Sequence, residues 1–301
     1  MTTTHLTAQE ERLKFKKKVG PEDLALGAFI FEEGTKLMEG KELFISEVSP
    51  GIFLLDEAHG ATGYLVVGEK QAALIDTMMG FTDLKEVTKK LTDKPIVVIN
   101  THGHPDHIYG NCYFDKAFLN PRDYELADMF FNDPEFLKVL NQMGGKVPPF
   151  RPLNEGDEID LGGRTLKAYL IPGHTLGSML LLLKEDRVLF TGDAINHHLW
   201  LQLDGCLTIE ECIKTLNNVM FLEKEADIIL HGHAQKPDDI SLMHCLRSGL
   251  QEIVEGKVSE DKPYEWFGGV DLQHPFKCEE GKLYSSDAHV ICYKKDNVYR
   301  K

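Results

Sequence analysis

The stretch PIVVINTHGHPDH, residues 95–107, decides how this chain is read. An apolar run of strand length, PIVVIN, ends in three histidines and an aspartate within six positions. In an extended segment, residues two apart point the same way, so His102 and His104 converge on one point. Pro105 suits the first position of a helix. Asp106 and His107 then project from its first turn toward a different point. The spacing therefore predicts two ligand pairs for two neighbouring ions. A loop of histidines that merely caps a strand is the plainer alternative, but buried imidazoles need polar partners and surface histidines rarely crowd so densely.

The flanking sequence has the texture of strand, turn and strand. IFLLD (52–56) lies between Pro50-Gly51 and His59-Gly60, and GYLVVGEKQAALID (63–76) reads as two strands joined at Gly68-Glu69-Lys70. TDLKEVTKKL (82–91) follows as a helix with Leu84, Val87 and Leu91 on one face and Thr82 or Asp83 at its N-cap. The same order recurs downstream. MLLLLKEDRVLFTGD (179–193) gives an apolar strand, a charged turn, a second strand and a terminal aspartate. A capping box at Thr208 and Glu211 opens a helix with Ile209, Cys212, Leu216 and Val219 on one face. ADIILHGH (226–233) is again a buried strand ending in histidines. Each half thus runs strand, turn, strand-Asp, helix, strand-His, an internal duplication of an α/β unit. Two sheets packed together with helices outside would bury both sets of strands.

Between the halves lie two amphipathic helical stretches (121–131 and 134–143) and a hairpin over 155–171. A late helix occupies 241–256, and the tail is strand-like near 282–295. The expected organisation is an N-terminal extension (1–45), one compact domain (46–255) and a C-terminal extension packing on it (256–301).

Three more polar residues stand beside a glycine after an apolar run: His174 in LIPGHT, Asp193 in LFTGDA and His233 in ILHGHA. Glycine lets the backbone turn tightly enough to bring such side chains to a sheet end. Seven candidate ligands result: His102, His104, Asp106, His107, His174, Asp193 and His233. Imidazole and carboxylate donors suit zinc first, with iron or manganese as alternatives.

THGHPDH resembles the HxHxDH signature of the metallo-β-lactamase-fold hydrolases, and ALIDT, PGHT, TGDA and HGH are similar to that superfamily's other motifs, in the same order. The resemblance covers about 46–235 and implies an αββα sandwich of two similar halves. It implies that His102, His104 and His174 hold one ion, that Asp106, His107 and His233 hold the other, and that Asp193 bridges both. Asp76 of ALIDT would orient a ligand histidine. HGH leaves either histidine open as the ligand from the residues alone; by the family pattern it is His233, with His231 an orienting or structural residue. Cysteine-containing β-lactamases carry Cys at the place of Asp193, and diiron members carry Glu at the place of His104, followed by a flavodoxin-like domain not found here. The pattern is closer to the glyoxalase II-like thioesterase, lactonase and phosphodiesterase branches.

The implied activity is a dinuclear metal-dependent hydrolase of a small-molecule ester, thioester, lactone or phosphoester. Two ions about 3.5–4 Å apart share a water, lower its pKa toward neutrality and stabilise the oxyanion that forms. Asp193 and Asp106 are the catalytic carboxylates, the latter chiefly a ligand and secondarily a proton acceptor. The alternatives are an RNA-processing nuclease of the same fold and a non-catalytic metal-binding protein. His197, His198 and Trp200 in AINHHLWLQLDG, together with His59, are candidate pocket residues.

Composition narrows the partners. Among 301 residues the formal net charge is −15, which argues against nucleic acid, since polyanion binding needs many Lys and Arg contacts. The six cysteines form no CxxC pair, and their scatter suits a reducing compartment. The first 18 residues, MTTTHLTAQEERLKFKKK, contain no apolar core of signal-peptide length, and no run reaches the roughly 18 apolar residues that span a bilayer. These features predict a soluble cytoplasmic enzyme with a small-molecule substrate and no membrane or nucleic-acid partner. Phe15, Phe29, Tyr264 and Trp266 in the extensions are candidates for a lid or a homodimer contact, with core packing as the plainer alternative.

Overall fold

The computed structural model of the protein describes residues 43–57 and 60–300, and the backbone of a strand at 29–31. Phe15 and His59, and most of the N-terminal extension, lie outside the described residues.

The first half builds an eight-stranded sheet in sequence order: β1 (Phe29–Phe31), β2 (Leu43–Ser49), β3 (Ile52–Glu57), β4 (Ala61–Val67), β5 (Ala72–Ile75), β6 (Ile96–Ile99), β7 (Ala117–Leu119) and β8 (Phe150–Pro152). β2 begins inside the expected extension. Pairing is antiparallel up to β5 and parallel from β5 to β8, where crossovers are required. Helix α1 (Leu84–Leu91) makes the β5–β6 crossover, its first turn capped by the Asp83 carboxylate accepting from Lys85 and Glu86 N–H. The short α2 (Pro105–Ile108) starts at Pro105 directly after His104. α3 (Tyr124–Phe131) and α4 (Pro134–Gln142) fill the stretch before β8.

The second half follows the same plan. β9 (Glu158–Asp160) and β10 (Thr165–Leu170) form the expected hairpin. They continue into β11 (Met179–Leu183), β12 (Val188–Gly192), β14 (Ile228–His231) and β15 (Asp238–Asp239), in spatial order β15-β14-β12-β11-β10-β9. β13 (His198–Leu201) leaves this sheet. β12 and β14 pair parallel across α5 (Ile209–Val219), which opens on the Thr208–Glu211 capping box. The duplication is thus visible in the hydrogen bonding: β4-β5-α1-β6 and β11-β12-α5-β14 each join an antiparallel pair to a parallel crossover.

Strand parity explains the layers. Ile75, Phe190 and Leu230 point into the space between the sheets, with Tyr64, Ile99 and Leu181. Their neighbours Leu74, Leu189 and Ile229 point outward, Leu74 onto Leu84 and Val87 of α1, the other two toward Cys212 and Leu216 of α5 and Leu246 of α6 (Leu242–Val254). Two sheets face to face with helices on both outer faces make an αββα sandwich. No helix among the described residues is long and apolar enough to cross a membrane.

The C-terminal segment adds more than the single strand expected there. β16 (Lys262–Trp266) and β17 (Gly269–Pro275) form a hairpin, and β18 (Val290–Tyr293) pairs parallel with β13, giving a four-stranded sheet β13-β18-β17-β16. The chain after residue 255 is thereby hydrogen-bonded to the central domain through β13.

Candidate metal centre

All seven candidate side chains meet at the C-terminal ends of the central strands, the usual place for a site on an α/β scaffold. They fall into two groups: His102, His104 and His174, and Asp106, His107, Asp193 and His233. Within each, one ligand atom per residue lies within 4.8 Å of the others. The three rings of the first group form a near-regular triangle, with centroids 4.6–4.9 Å apart. Asp193 spans the two groups: its Oδ2 is 3.7 Å from His174 Nε2, 3.6 Å from His107 Nε2 and 3.1 Å from His233 Nε2. Asp106 Oδ2 is 3.5 Å from His107 Nε2 and 3.6 Å from His233 Nε2.

Hydrogen bonds at the outer edge of the rings fix which nitrogen faces inward. His107 Nδ1 donates to Asp76 Oδ2 at 2.9 Å, His174 Nδ1 to the Trp200 carbonyl at 2.7 Å and His233 Nδ1 to the Gly60 carbonyl at 2.7 Å. His102 Nδ1 donates to Thr101 Oγ1 at 3.1 Å, and that hydroxyl donates onward to Asp76 Oδ2. Each of these four rings therefore aims Nε2 at the centre, while His104 presents Nδ1, 2.9 Å from His174 Nε2. Among the described residues, the buried His102 Nε2, His107 Nε2 and Asp193 Oδ1 have no hydrogen-bond partner. Buried donors and acceptors are seldom left unpaired. Three of them within one cluster of histidines and carboxylates fit bound cations.

The charge distribution fits as well. Burial pulls the His102 and His104 imidazoles down, His104 to about 3, and their histidine neighbours pull the same way. They are the neutral rings a metal requires. In the second group burial also opposes charge on His107 and His233. The carboxylates outweigh it: Asp106, Asp193 and Asp76 push His107 well up, and Asp193 and Asp106 raise His233 to about 9. Burial likewise opposes ionisation of Asp193 and Asp106, yet the histidines hold both carboxyls well below their ordinary value. This half of the site favours positive charge.

Backbone constraints present the ligands. Asp76 sits at φ 58°, a left-handed conformation uncommon outside glycine. There its carboxylate accepts from both the N–H and the O–H of Thr101 as well as from His107. At Gly232 a Cβ would fall 2.5 Å from both Asp193 Oδ1 and His107 Cε1, so only glycine lets the turn into His233 pass so close.

A cavity of about 1100 Å³ opens over the site, bounded by His104, Asp106, His174, Asp193 and His233 on one side. His198 and Trp200 line it too. His197 does not, contrary to the sequence expectation: its Nε2 donates to the fully buried Asp238, and its Nδ1 faces His289. Adjacent strand residues face opposite ways, so His198 and Trp200 share the cavity face and His197 turns from it. His231 lies behind His233; its Nδ1 accepts the His233 N–H, and its carbonyl accepts from the Tyr64 hydroxyl.

Two buried acids of consequence were not singled out in the sequence. Asp123 accepts from Gly103 N–H, Gly177 N–H and the Thr175 hydroxyl, so one carboxylate ties the loop of His102 and His104 to the loop of His174. Glu57 accepts from the N–H groups of Met79 and Phe81, beside the cavity. Burial pushes Glu57 up to about 7 from 4.5, against those hydrogen bonds. A carboxyl raised in this way stabilises the fold fully below about 4.5, and the contribution is lost as pH rises through about 7. Denaturant titrations are expected to show unfolding free energy falling across that window, with Glu57→Gln flattening the fall. An unchanged slope in the variant would assign the pH dependence to other groups.

The Metallo-beta-lactamase superfamily model matches residues 58–233, more than half of the chain. Among relatives, the chain is 29% identical to the human acyl-coenzyme A thioesterase MBLAC2, over 48% of this chain and 63% of that protein. It is 30% identical to a hydroxyacylglutathione hydrolase of Hyphomonas neptunium, over 44% of this chain and 47% of that one. The similarity thus spans less than two thirds of either relative. Solved structures with the same fold include a metallo-beta-lactamase family protein from Thermus thermophilus (TM-score 0.55, 21% identity, 72% of this chain and 85% of that one). A metallo-beta-lactamase from Pontibacter korlensis gives TM-score 0.51 and 18% identity, over 74% and 99%. With candidate ligands at strand ends, a duplicated αββα sandwich and a family match that ends on His233, the chain belongs to the metallo-beta-lactamase superfamily.

Proposed function

We propose that this protein is a metal-dependent hydrolase of thioesters with an apolar acyl group. His102, His104 and His174 would hold one divalent ion and Asp106, His107 and His233 a second, with Asp193 beside both groups. The reading rests on one observation above others: the unpartnered His102 Nε2, His107 Nε2 and Asp193 Oδ1 belong to residues of the two adjoining donor groups. The nitrogen and oxygen donor set suits zinc. Bound there, the ions would supply Lewis acidity and an acidified water.

The chain's own residues do the rest. Asp76, Thr101 and the carbonyls of Trp200 and Gly60 hold the imidazoles in the tautomer and orientation that coordination needs. Asp106, whose side chain is 32% exposed, is the ligand carboxylate more open to the cavity and the one placed to accept a proton. The opposite wall is aromatic. Trp200 stands 5.9–6.1 Å, ring to ring, from Tyr264, Trp266 and Phe267. Lys294 is the cation among the described lining residues, and it is paired with Asp204 at 2.7 Å. Such a wall suits an acyl chain better than a phosphodiester backbone. A thioester is also the substrate class that the name of the MBLAC2 relative states. The C-terminal strands belong to the working unit as the cavity's far wall, with 46–255 as the catalytic domain. Six unpaired cysteines suit a cytoplasmic setting.

The test is turnover by metal-loaded protein of acyl thioesters of graded chain length beside a phosphodiester. Thioesters are expected to be hydrolysed with kcat/KM rising with chain length. Trp266→Ala is expected to lower kcat/KM for a long acyl chain about tenfold more than for an acetyl group, the scale of one aromatic contact. Turnover of the phosphodiester with none of any thioester would overturn the substrate assignment.

A further inference from the structure

A second set of metal-type side chains lies outside the seven residues of the proposed centre. One ligand atom each from His197, Cys278 and His289 lies within 4.8 Å of the other two. His197 Nδ1 faces His289 Nδ1 at 2.7 Å. The same face-to-face approach of two ring nitrogens joins His104 to His174. His197 Nε2 donates to Asp238 Oδ1 at 2.8 Å, leaving Nδ1 as the coordinating nitrogen. Asp238 is fully buried and is itself fixed by the N–H and O–H of Ser285. A carboxylate on the outer nitrogen is what orients metal-ligating histidines.

We infer that His197, Cys278 and His289 form a three-ligand site for a zinc-class ion, separate from the proposed catalytic pair. Two imidazoles and one thiolate are donors that zinc takes. Ligand atoms at about 2.0–2.3 Å from one ion fall within the observed mutual limit of 4.8 Å. The three residues come from separate parts of the chain: before β13, from the connection after β17 and from the residue before β18. An ion there staples the β17–β18 connection to the central domain. That clamp steadies the β16–β17 hairpin, which carries Tyr264 and Trp266 to the cavity.

Sulfur makes the site separately observable, because none of the seven proposed catalytic ligands is a cysteine. Full-length protein, reduced, stripped with chelator and reloaded with Co²⁺, is expected to show a thiolate-to-cobalt charge-transfer band. The band should vanish in Cys278→Ser and persist in Asp193→Asn, and Cys278→Ser should retain one fewer zinc ion per chain. If that variant fails to fold, His289→Gln, at a half-buried position, should shift and weaken the band. Absence of the band in the reduced wild type, or its survival unchanged in the variants, overturns the site. Failure of thioester turnover would leave the band unaffected, so the two readings fall separately.

Discussion

Asp193→Asn is expected to lower kcat/KM for the thioester roughly a thousandfold, with the fold intact and metal content reduced. The size follows from the loss of metal-assisted charge stabilisation, worth several kcal/mol, at about 1.4 kcal/mol per factor of ten. Asp193 is singled out because its Oδ2 lies within 3.1–3.7 Å of ring nitrogens from both ligand groups. Its Oδ1 is a buried acceptor with no partner among the described residues. Asparagine keeps the volume and removes the charge, so the turn at Gly192, φ 49°, and the packing against Gly232 survive. The measurement pairs kinetics with metal analysis and circular dichroism on the same preparation. Activity within tenfold of wild type at full metal content would remove Asp193 from the bridging position.

The parts of this site that were legible in the sequence are those whose signal is local. An apolar run that stops at a histidine or aspartate beside a glycine marks a strand end, and four such stops gave the seven candidates. The duplicated order predicts the two sheets, because Leu74/Ile75 and Leu189/Phe190 each alternate between an outer helical layer and the shared inner layer. What was not legible depends on partners far along the chain. Asp123 sits in an ordinary Pro-Arg-Asp turn, and its partners Gly103 and Gly177 lie 20 and 54 positions away. The carbonyls of Trp200 and Gly60 that orient His174 and His233 belong to the backbone, which carries no sequence signature. The β16–β17 hairpin has a weak signal because KPYEW and GVDLQHP are short, carry few apolar residues and each contain a proline. His197 was misassigned for a local reason that could have been applied: once HLWL is read as a strand, parity separates His197 from His198 and Trp200.

Asp123→Ala is the second change expected to act strongly, although the residue is not among the proposed ligands. The side chain is 1% exposed, and it accepts from Gly177 N–H at 2.6 Å, Thr175 Oγ1 at 2.7 Å and Gly103 N–H at 3.0 Å. Alanine leaves two backbone donors buried and unpaired, at about 1–3 kcal/mol each. The expected loss is about 2–5 kcal/mol of stability, or a fall in Tm of roughly 10 °C for a domain of this size. Water entering the gap could satisfy those donors, but it would not restore the tie between the two loops. The first ion's affinity should therefore drop about ten- to a hundredfold, as when outer partners of metal ligands are removed, while the Asp106–His107–His233 group is much less affected. Asp123→Asn, which keeps one acceptor oxygen, should fall between. Gly177→Ala should mimic the alanine variant from the other side, since its Cβ would lie 2.6 Å from Asp123 Oδ1. Thermal denaturation and competition with a chromophoric chelator read the two effects separately. If stability falls while both ions bind as tightly as before, Asp123 is a packing residue and the two ligand loops are held together by something else.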